Sequence, residues 1–352
     1  MTPTKPPRIK DIAARLKLAP VSVSVALRGM TGVSEATRKK VHACAKKMGY
    51  RPDPAMSALA EYRRRSRPVS AFSQLAFVTD YPEKNMPFWG YVDEFLAGAQ
   101  KRGTEYGYEV IPYWLREGGC TRKQASSILF NRGVKGLLVA PLPVEESHLD
   151  LTWKYFCSVA IGSSLTNPRL DYATFDYHQA VQTVTGQLHQ RGYNRPGFVL
   201  QQQRDARFRH QPLDAFHGYQ RRHPEVHALP PFAPPGFNEP DFWTWFTTHR
   251  PDVIITDATD IFPALLTNRG LRVPADVGVA CFCKFSSNKH DASVSGVMQD
   301  LPAIGAAAVD RLHTKLLRSA YGVPDRFHGI LTHGEWVEGA TLRKPRRSPQ
   351  KR

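Results

Sequence analysis

The N-terminal stretch from Ile9 to Leu59 constrains this chain more than any other part of it. Ile9 to Gly29 reads as two short helices joined by a tight turn, and the spacing predicts a third helix from Ser34 to Met48. Ile12, Ala13 and Leu16 share one face of the first helix, Val23, Ala26 and Leu27 one face of the second, and Val41, Ala45 and Met48 one face of the third. Ser34 suits an N-cap and Gly49 a helix stop, while Pro20 fits a first turn, where its missing N–H costs nothing. Three short helices around one small core, followed by a basic extension, form a helix-turn-helix device for reading duplex DNA.

The second helix is left with Pro20, Val21, Ser22, Ser24 and Val25 facing outward, and these are the candidates for the major groove. Apolar side chains meet thymine methyl groups, and serines bond phosphate. Arg28 at the helix end has the reach for a base or the backbone. The face has few long polar side chains, so its direct discrimination between bases is modest. Asp53 can cap a further short helix with Pro54 at its first position, which puts Met56 and Leu59 on one side. An apolar side chain there, beside the basic run Arg63-Arg-Arg-Ser-Arg67, serves either as a wedge opening a minor-groove base step or as packing against the rest of the protein.

The charge distribution supports a phosphate-binding end. The chain carries 48 Lys/Arg against 31 Asp/Glu, a net +17, over 352 residues. Residues 1–68 hold 16 of the basic and 4 of the acidic residues, and residues 343–352 hold 6 basic and none acidic. The long middle is close to neutral. A neutral body with a basic head is the footprint of nucleic-acid binding rather than of general stickiness. No stretch approaches the ~18 consecutive apolar residues of a membrane helix, and the polar N-terminus has no signal-peptide core. The expectation is a cytoplasmic protein with no membrane partner. Five scattered cysteines argue for reduced thiols. Cys281 and Cys283 form the one close pair. Without a second Cys/His pair at zinc spacing they read as buried, inert thiols, and neither a metal nor a cofactor is expected.

Beyond the head, short apolar runs alternate with helical stretches. Strands are expected at 75–79, 109–113, 136–140, 158–161, 173–175, 197–200, 253–256 and 277–282. Helices are expected at 88–106, 122–131, 177–190, 214–222, 239–248, 261–268 and 302–318. Apolar runs without alternation belong to strands buried on both faces, and alternating strands and helices build parallel sheets. The proline-rich stretch from Pro224 to Pro240 reads as a loop. The expected organisation is an all-α helix-turn-helix domain over residues 1–52, a hinge helix and basic linker over 53–68, and an α/β body of two subdomains over 69–342. A basic, disordered tail over 343–352 completes it. Small ligands bind between such subdomains, beyond the carboxyl ends of the strands.

Several ordered motifs carry a resemblance. Ile9-Lys-Asp-Ile-Ala13, Val33-Ser-Glu-Ala-Thr-Arg38 and Met48-Gly-Tyr-Arg-Pro52 resemble the signature of the lactose-repressor (LacI) family of bacterial transcription regulators. In the body, Asn85-Met-Pro-Phe-Trp89, the segment Gly270 to Val279 and the segment Val297 to Gly305 are similar to family motifs in the same order. The resemblance spans residues 9 to about 342. It implies a homodimer on a pseudo-palindromic operator, a periplasmic-binding-protein-like body, and a cleft for a small effector, often a sugar or nucleobase. It implies that Leu59 is the wedge and that Phe88 and Trp89 line the effector cleft.

The chain departs from the family in that cleft. The usual Gly-Phe-Asp-Asp after the late strand is Cys281-Phe-Cys-Lys284. The arginine ahead of the Gly218-Tyr219 pair is Ala215, an Asp after the fourth strand is Gly162, and the Asn-Asp after Thr256 is replaced by Asp257-Ala-Thr-Asp260. A different polar set, Ser163, Ser164, Asp257, Asp260 and Lys284, is available instead, and Asp176 is either a retained ligand acid or a helix cap. The reading is an effector-responsive regulator, most simply a repressor; without the family's carboxylate–arginine set, the usual sugar or sugar-derived effector loses support. The alternative is a constitutive DNA binder whose cleft has lost its ligand. No Gly-x-Ser-x-Gly, P-loop or dinucleotide fingerprint points to an enzyme.

Overall fold

The structure, a computed structural model, describes residues 7, 9–27, 32–50, 73–83, 89–143 and 147–345, apart from the side chains of Val21, Trp89, Lys289 and Asp291. The hinge region 53–68 lies outside the described residues.

The head consists of α1 (Ile9–Leu16), α2 (Pro20–Leu27) and α3 (Glu35–Lys47). Ile12, Ala13, Val23, Ala26, Val41 and Ala45 are buried together, with Leu16, Leu27 and Met48 packed against them. This is the core that the helical spacing predicts. Ser34 caps α3 by accepting from the Thr37 N–H at 3.2 Å, and Gly49 leaves the helix at φ +68°.

The body has two sheets. The first is built from β1 (Ser73–Thr79), β2 (Tyr108–Trp114), β3 (Gly136–Val139), β4 (Cys157–Ile161), β5 (Asp171–Phe175) and β10 (Gly329–Thr332), in the order β10-β5-β4-β3-β1-β2, all parallel. The second is built from β6 (Pro196–Val199), β7 (Val253–Thr256), β8 (Gly278–Lys284), β9 (Ser295–Met298) and β11 (Glu335–Val337), in the order β11-β9-β8-β7-β6, with only β11 antiparallel. Phe232, inside the proline-rich loop, adds a one-residue parallel bridge to Val199. The second sheet thus repeats the first one's reversal of strand order beside its first strand. Strands β3, β4, β6, β7 and β8 are buried at every position, as strands covered on both faces must be.

The covering helices are α4 (Trp89–Glu105), α5 (Arg122–Asn131), α6 (Tyr177–Gln190), α7 (Gln202–Arg207), α8 (Gln211–Arg222), α9 (Glu239–His249), α10 (Phe262–Asn268) and α11 (Leu301–Leu317). Helix α11 packs on β3, β4, β5 and β10 and against α4, so it belongs to the first half although it follows the second in sequence. The chain therefore crosses between halves three times, after β5, after β9 and after β10. Helices α4 and α11 meet through glycines. A Cβ on Gly98 would sit 1.9 Å from the Pro302 carbonyl oxygen, and one on Gly305 would sit 2.1 Å from that of Phe95.

Eight strands and seven body helices agree with the sequence expectation to within a few residues. Strands β9, β10 and β11 and helix α7 were not expected. Strand β9 is four residues, and its Gly296 has no room for a side chain, because a Cβ would lie 2.1 Å from the Cys281 carbonyl oxygen. That requirement removes the apolar signal from the strand. The tail expectation is corrected at its first residue. The Arg343 N–H donates to the Tyr193 hydroxyl at 3.0 Å, and its guanidinium stacks 4.7 Å from the Tyr193 ring centre, so it belongs to the body. Residues 346–352 lie outside the described residues.

The cysteines are free thiols. Burial pushes the Cys157 thiol up to about 11. The hydrogen bond with Cys281, followed by burial, raises Cys283 well above the ordinary thiol range. These are inert positions.

Candidate functional site

Two places concentrate the sequence-predicted site residues. The first is α2. Val23 and Ala26 point into the head core, which turns Pro20, Ser22, Ser24 and Val25 toward the surface; Pro20 is exposed and the other three are half-buried. Val21 lies on the same helix, and Arg28, Met56 and Leu59 lie outside the described residues. The short α2 offers an apolar and hydroxyl-bearing face rather than a charged one.

The second place is where the carboxyl ends of the two sheets meet. Asp80 and Tyr81 follow β1, Leu142 and Pro143 follow β3, and Ser163 follows β4. From the other half come α7 after β6, Asp257 after β7 and Phe285 after β8. Arg207 of α7 spans the two halves. Its guanidinium donates to the Pro143 carbonyl at 3.0 Å and to the Leu142 carbonyl, while its own carbonyl accepts from Ser163 Oγ at 2.8 Å. Arg204, one turn earlier, pairs with the buried Asp257. Tyr81 and Tyr91 share a 2.5 Å hydroxyl contact, and Tyr91 meets Phe285 at 6.2 Å between ring centres. Tyr177, the first residue of α6, stacks on Phe208 at 4.3 Å. At the rim, Glu94 accepts from Ser286 Oγ at 2.7 Å and from the Ser287 N–H at 2.8 Å.

Burial, and then the neighbouring Tyr91, push the Tyr81 phenol far above its ordinary pKa. Burial, and then Cys283, do the same to Tyr177. Both stay protonated and remain hydrogen-bond donors at neutral pH. The surface between the halves thus carries phenol O–H and guanidinium N–H donors, several already engaged by Asp257 and by the Leu142 and Pro143 carbonyls.

The structure brings Ser163 and Asp257 to this surface. It does not bring Lys284 there. That side chain is fully buried, with its ammonium on the Val294 carbonyl inside the second half. Asp176 is the N-cap of α6, with Oδ1 accepting from the Gln179 N–H at 2.9 Å and Oδ2 3.6 Å from His333 Nε2. The capping alternative is what the geometry shows. Phe88 lies outside the described residues, as does the side chain of Trp89, whose backbone opens α4. Sequence reasoning missed Arg204, Arg207, Tyr81 and Tyr177. The two arginines sit on Gln-Gln-Arg-Asp-Ala-Arg, a six-residue helix without apolar periodicity. The one available signal was its place immediately after an apolar run of strand length.

A helix-turn-helix head ahead of two doubly wound halves defines a class, DNA-binding transcription regulators with a periplasmic-binding-protein-like body. The model for bacterial regulatory proteins of the lacI family matches residues 8–53. Those for the periplasmic binding proteins and sugar binding domain of the LacI family and for a periplasmic binding protein-like domain match residues 74–224 and 185–342. The chain belongs to the LacI family of transcriptional regulators.

It is 25% identical over 194 residues to the HTH-type transcriptional regulator MalR of Staphylococcus xylosus. The match spans about half of each protein, 55% of this chain and 55% of the relative. Among solved structures, the transcriptional regulator CelR–cellobiose complex superposes with a TM-score of 0.57 at 15% identity, covering 95% of this chain and 99% of that one. The lac repressor dimer bound to operator and the anti-inducer ONPF superposes with 0.54 at 17% identity, covering 97% and 100%. CcpA from Weissella paramesenteroides with bound glucose superposes with 0.53 at 14% identity, covering 77% and 98%. At these identities the likeness is one of fold. No helix among the described residues is long and apolar enough to cross a membrane.

Proposed function

We propose that this regulator is a cytoplasmic repressor. It binds a pseudo-palindromic operator as a homodimer and answers to a small effector held between the two halves of its body. The observation that carries the DNA-binding end is the sidedness of α2, whose Val23 and Ala26 are consumed by the head core while Pro20, Ser22, Ser24 and Val25 remain available to the groove. With so few base-reading side chains on that face, specificity rests largely on half-site spacing and on deformation of the central step by Met56 and Leu59. The lac repressor in its operator complex is a dimer, and CelR and CcpA hold cellobiose and glucose. Those facts support a dimer here, and a sugar or sugar-derived effector seated among Phe88, Trp89, Ser163, Asp257, Arg204 and Arg207. Such an effector changes operator affinity only through different contacts in the two arrangements of the halves.

Selection of duplexes from a random pool by the full chain tests the reading. The expected product is a two-fold symmetric site with a flexible pyrimidine–purine step at its centre. An asymmetric product overturns the dimer.

A second reading has its own support. Arg204 is paired with Asp257, and Arg207 is bonded to carbonyls of the opposite half, so the surface between the halves is already satisfied by the protein. That arrangement suits a constitutive DNA-binding regulator. Calorimetry against neutral sugars, sugar acids and nucleobases separates the two. A compound that binds and also shifts operator affinity excludes the constitutive reading.

A further inference from the structure

Away from both sites, the second half of the body gathers two imidazoles and a carboxylate. His189 stands in the last turn of α6, His223 directly follows α8, and Glu225 lies two residues on in the turn. Helices α6 and α8 pack side by side, which brings their carboxyl ends together. Glu225 Oε1 accepts from His223 Nδ1 at 2.8 Å and lies 3.9 Å from His189 Nδ1. Donor atoms of the three residues all fall within 4.8 Å of one another.

We propose that His189, His223 and Glu225 form a three-ligand site for a divalent transition-metal ion of the zinc type, with water in the fourth position. Bonds of about 2.0–2.1 Å to a tetrahedral ion place neighbouring donor atoms about 3.3 Å apart. The observed 2.8 and 3.9 Å bracket that value, so small rotamer adjustments close the site. Two imidazoles with one carboxylate favour zinc, nickel or copper over magnesium or calcium, which prefer oxygen-only shells.

The scaffold beneath the donors is fixed. The Val226 N–H donates to the His223 carbonyl at 3.0 Å, and the His227 N–H donates to the Asn194 carbonyl at 2.9 Å, which pins the turn carrying Glu225. The buried Tyr219 ring lies 4.7 Å from the His223 ring and holds it in place. All three ligands reach solvent, which gives the ion an entry path. Loading shifts the proton that His223 Nδ1 shares with Glu225 to Nε2 of the same ring, which frees Nδ1 for the ion. The bound ion would then staple the end of α6, the helix that begins at the first crossing between halves, to the end of α8.

Titration of the full-length protein with zinc chloride, followed by calorimetry, tests the assignment. The expected result is one ion per chain whose binding is lost in the double variant His189→Ala/His223→Ala and weakened at least tenfold in Glu225→Gln, with unchanged far-UV circular dichroism. A measurement on the unaltered chain stands beside it. Zinc should protect His189 and His223 from diethyl pyrocarbonate while the other histidines react as before. Superimposable titrations of wild type and double variant, including the case in which neither binds, overturn the proposal. So does unchanged modification of both histidines. Either result would show that the trio is only a surface hydrogen-bonded pair with a neighbouring imidazole.

Discussion

Asp171 shows what a single buried charge does in this body. Its side chain is 2% exposed at the start of β5, and it accepts from Arg311 Nε and from the His328 N–H, both at 2.8 Å, with Lys315 Nζ 3.4 Å away. Burial alone would raise its pKa, but the His328 N–H, Lys315 and Arg311 outweigh it and hold the carboxyl below its ordinary range. A depressed folded-state pKa contributes stability above the unfolded value near ~4 and loses it as pH falls through the folded value. Acid melts should therefore show the body weakening below about pH 4. Asp171→Ala should cost about 3–5 kcal/mol at neutral pH by stranding the buried Lys315 and the half-buried Arg311, and should flatten the acid limb. An unchanged acid limb in that variant would contradict the assignment. On the proposed groove face of α2, Val25→Glu adds a carboxylate without touching the head core, so duplex affinity should fall by about tenfold or more while the melting temperature holds. Gel-shift titration beside calorimetric melting reads both. The residues legible in the sequence were those whose role follows from local geometry, such as Ser34 at its cap and Val23 and Ala26 at their spacing. Arg207 was illegible because its partners are carbonyls from a distant part of the chain, and Lys284 misled because a lysine at a strand end normally points to solvent.

Among the elements, the meeting of α4 and α11 is the least tolerant of change. Methyl groups at Gly98 or Gly305 would fall onto backbone carbonyls, which cannot rotate away as a side chain would. Gly305→Ala should force the helices apart and destabilise the body by about 1–3 kcal/mol, whereas Gly186→Ala, on open helix surface, should be neutral or slightly stabilising. Thermal melts of the two variants make the comparison, and equal effects would remove the close-packing argument. The same contrast explains which elements the sequence revealed. Strands β3, β4, β7 and β8 are unbroken apolar runs because helices cover both faces. Strands β10 and β11 are short, partly exposed edges with no such run, and α7 is polar because it faces the other half rather than a core.

For the whole molecule, Arg207 is a tie between halves whose loss has a readable range. Arg207→Ala removes donors from the Leu142 and Pro143 carbonyls without touching either sheet. Amide hydrogen exchange should quicken at Ala140, at Leu142 and in residues 162–165 and stay unchanged in α3. No change in those loops would mean that the tie carries no weight. The three crossings have a different consequence, one that concerns synthesis. Helix α11 and strand β10 complete the first half, yet both leave the ribosome after the entire second half through β9. The first sheet, made early, must wait with its β5 edge unpaired and its α4 glycines uncovered until residues beyond 300 emerge. A chain stopped at Gln299 would leave both halves incomplete, without β10 for one and β11 for the other, and should accumulate as aggregate rather than as a shortened regulator.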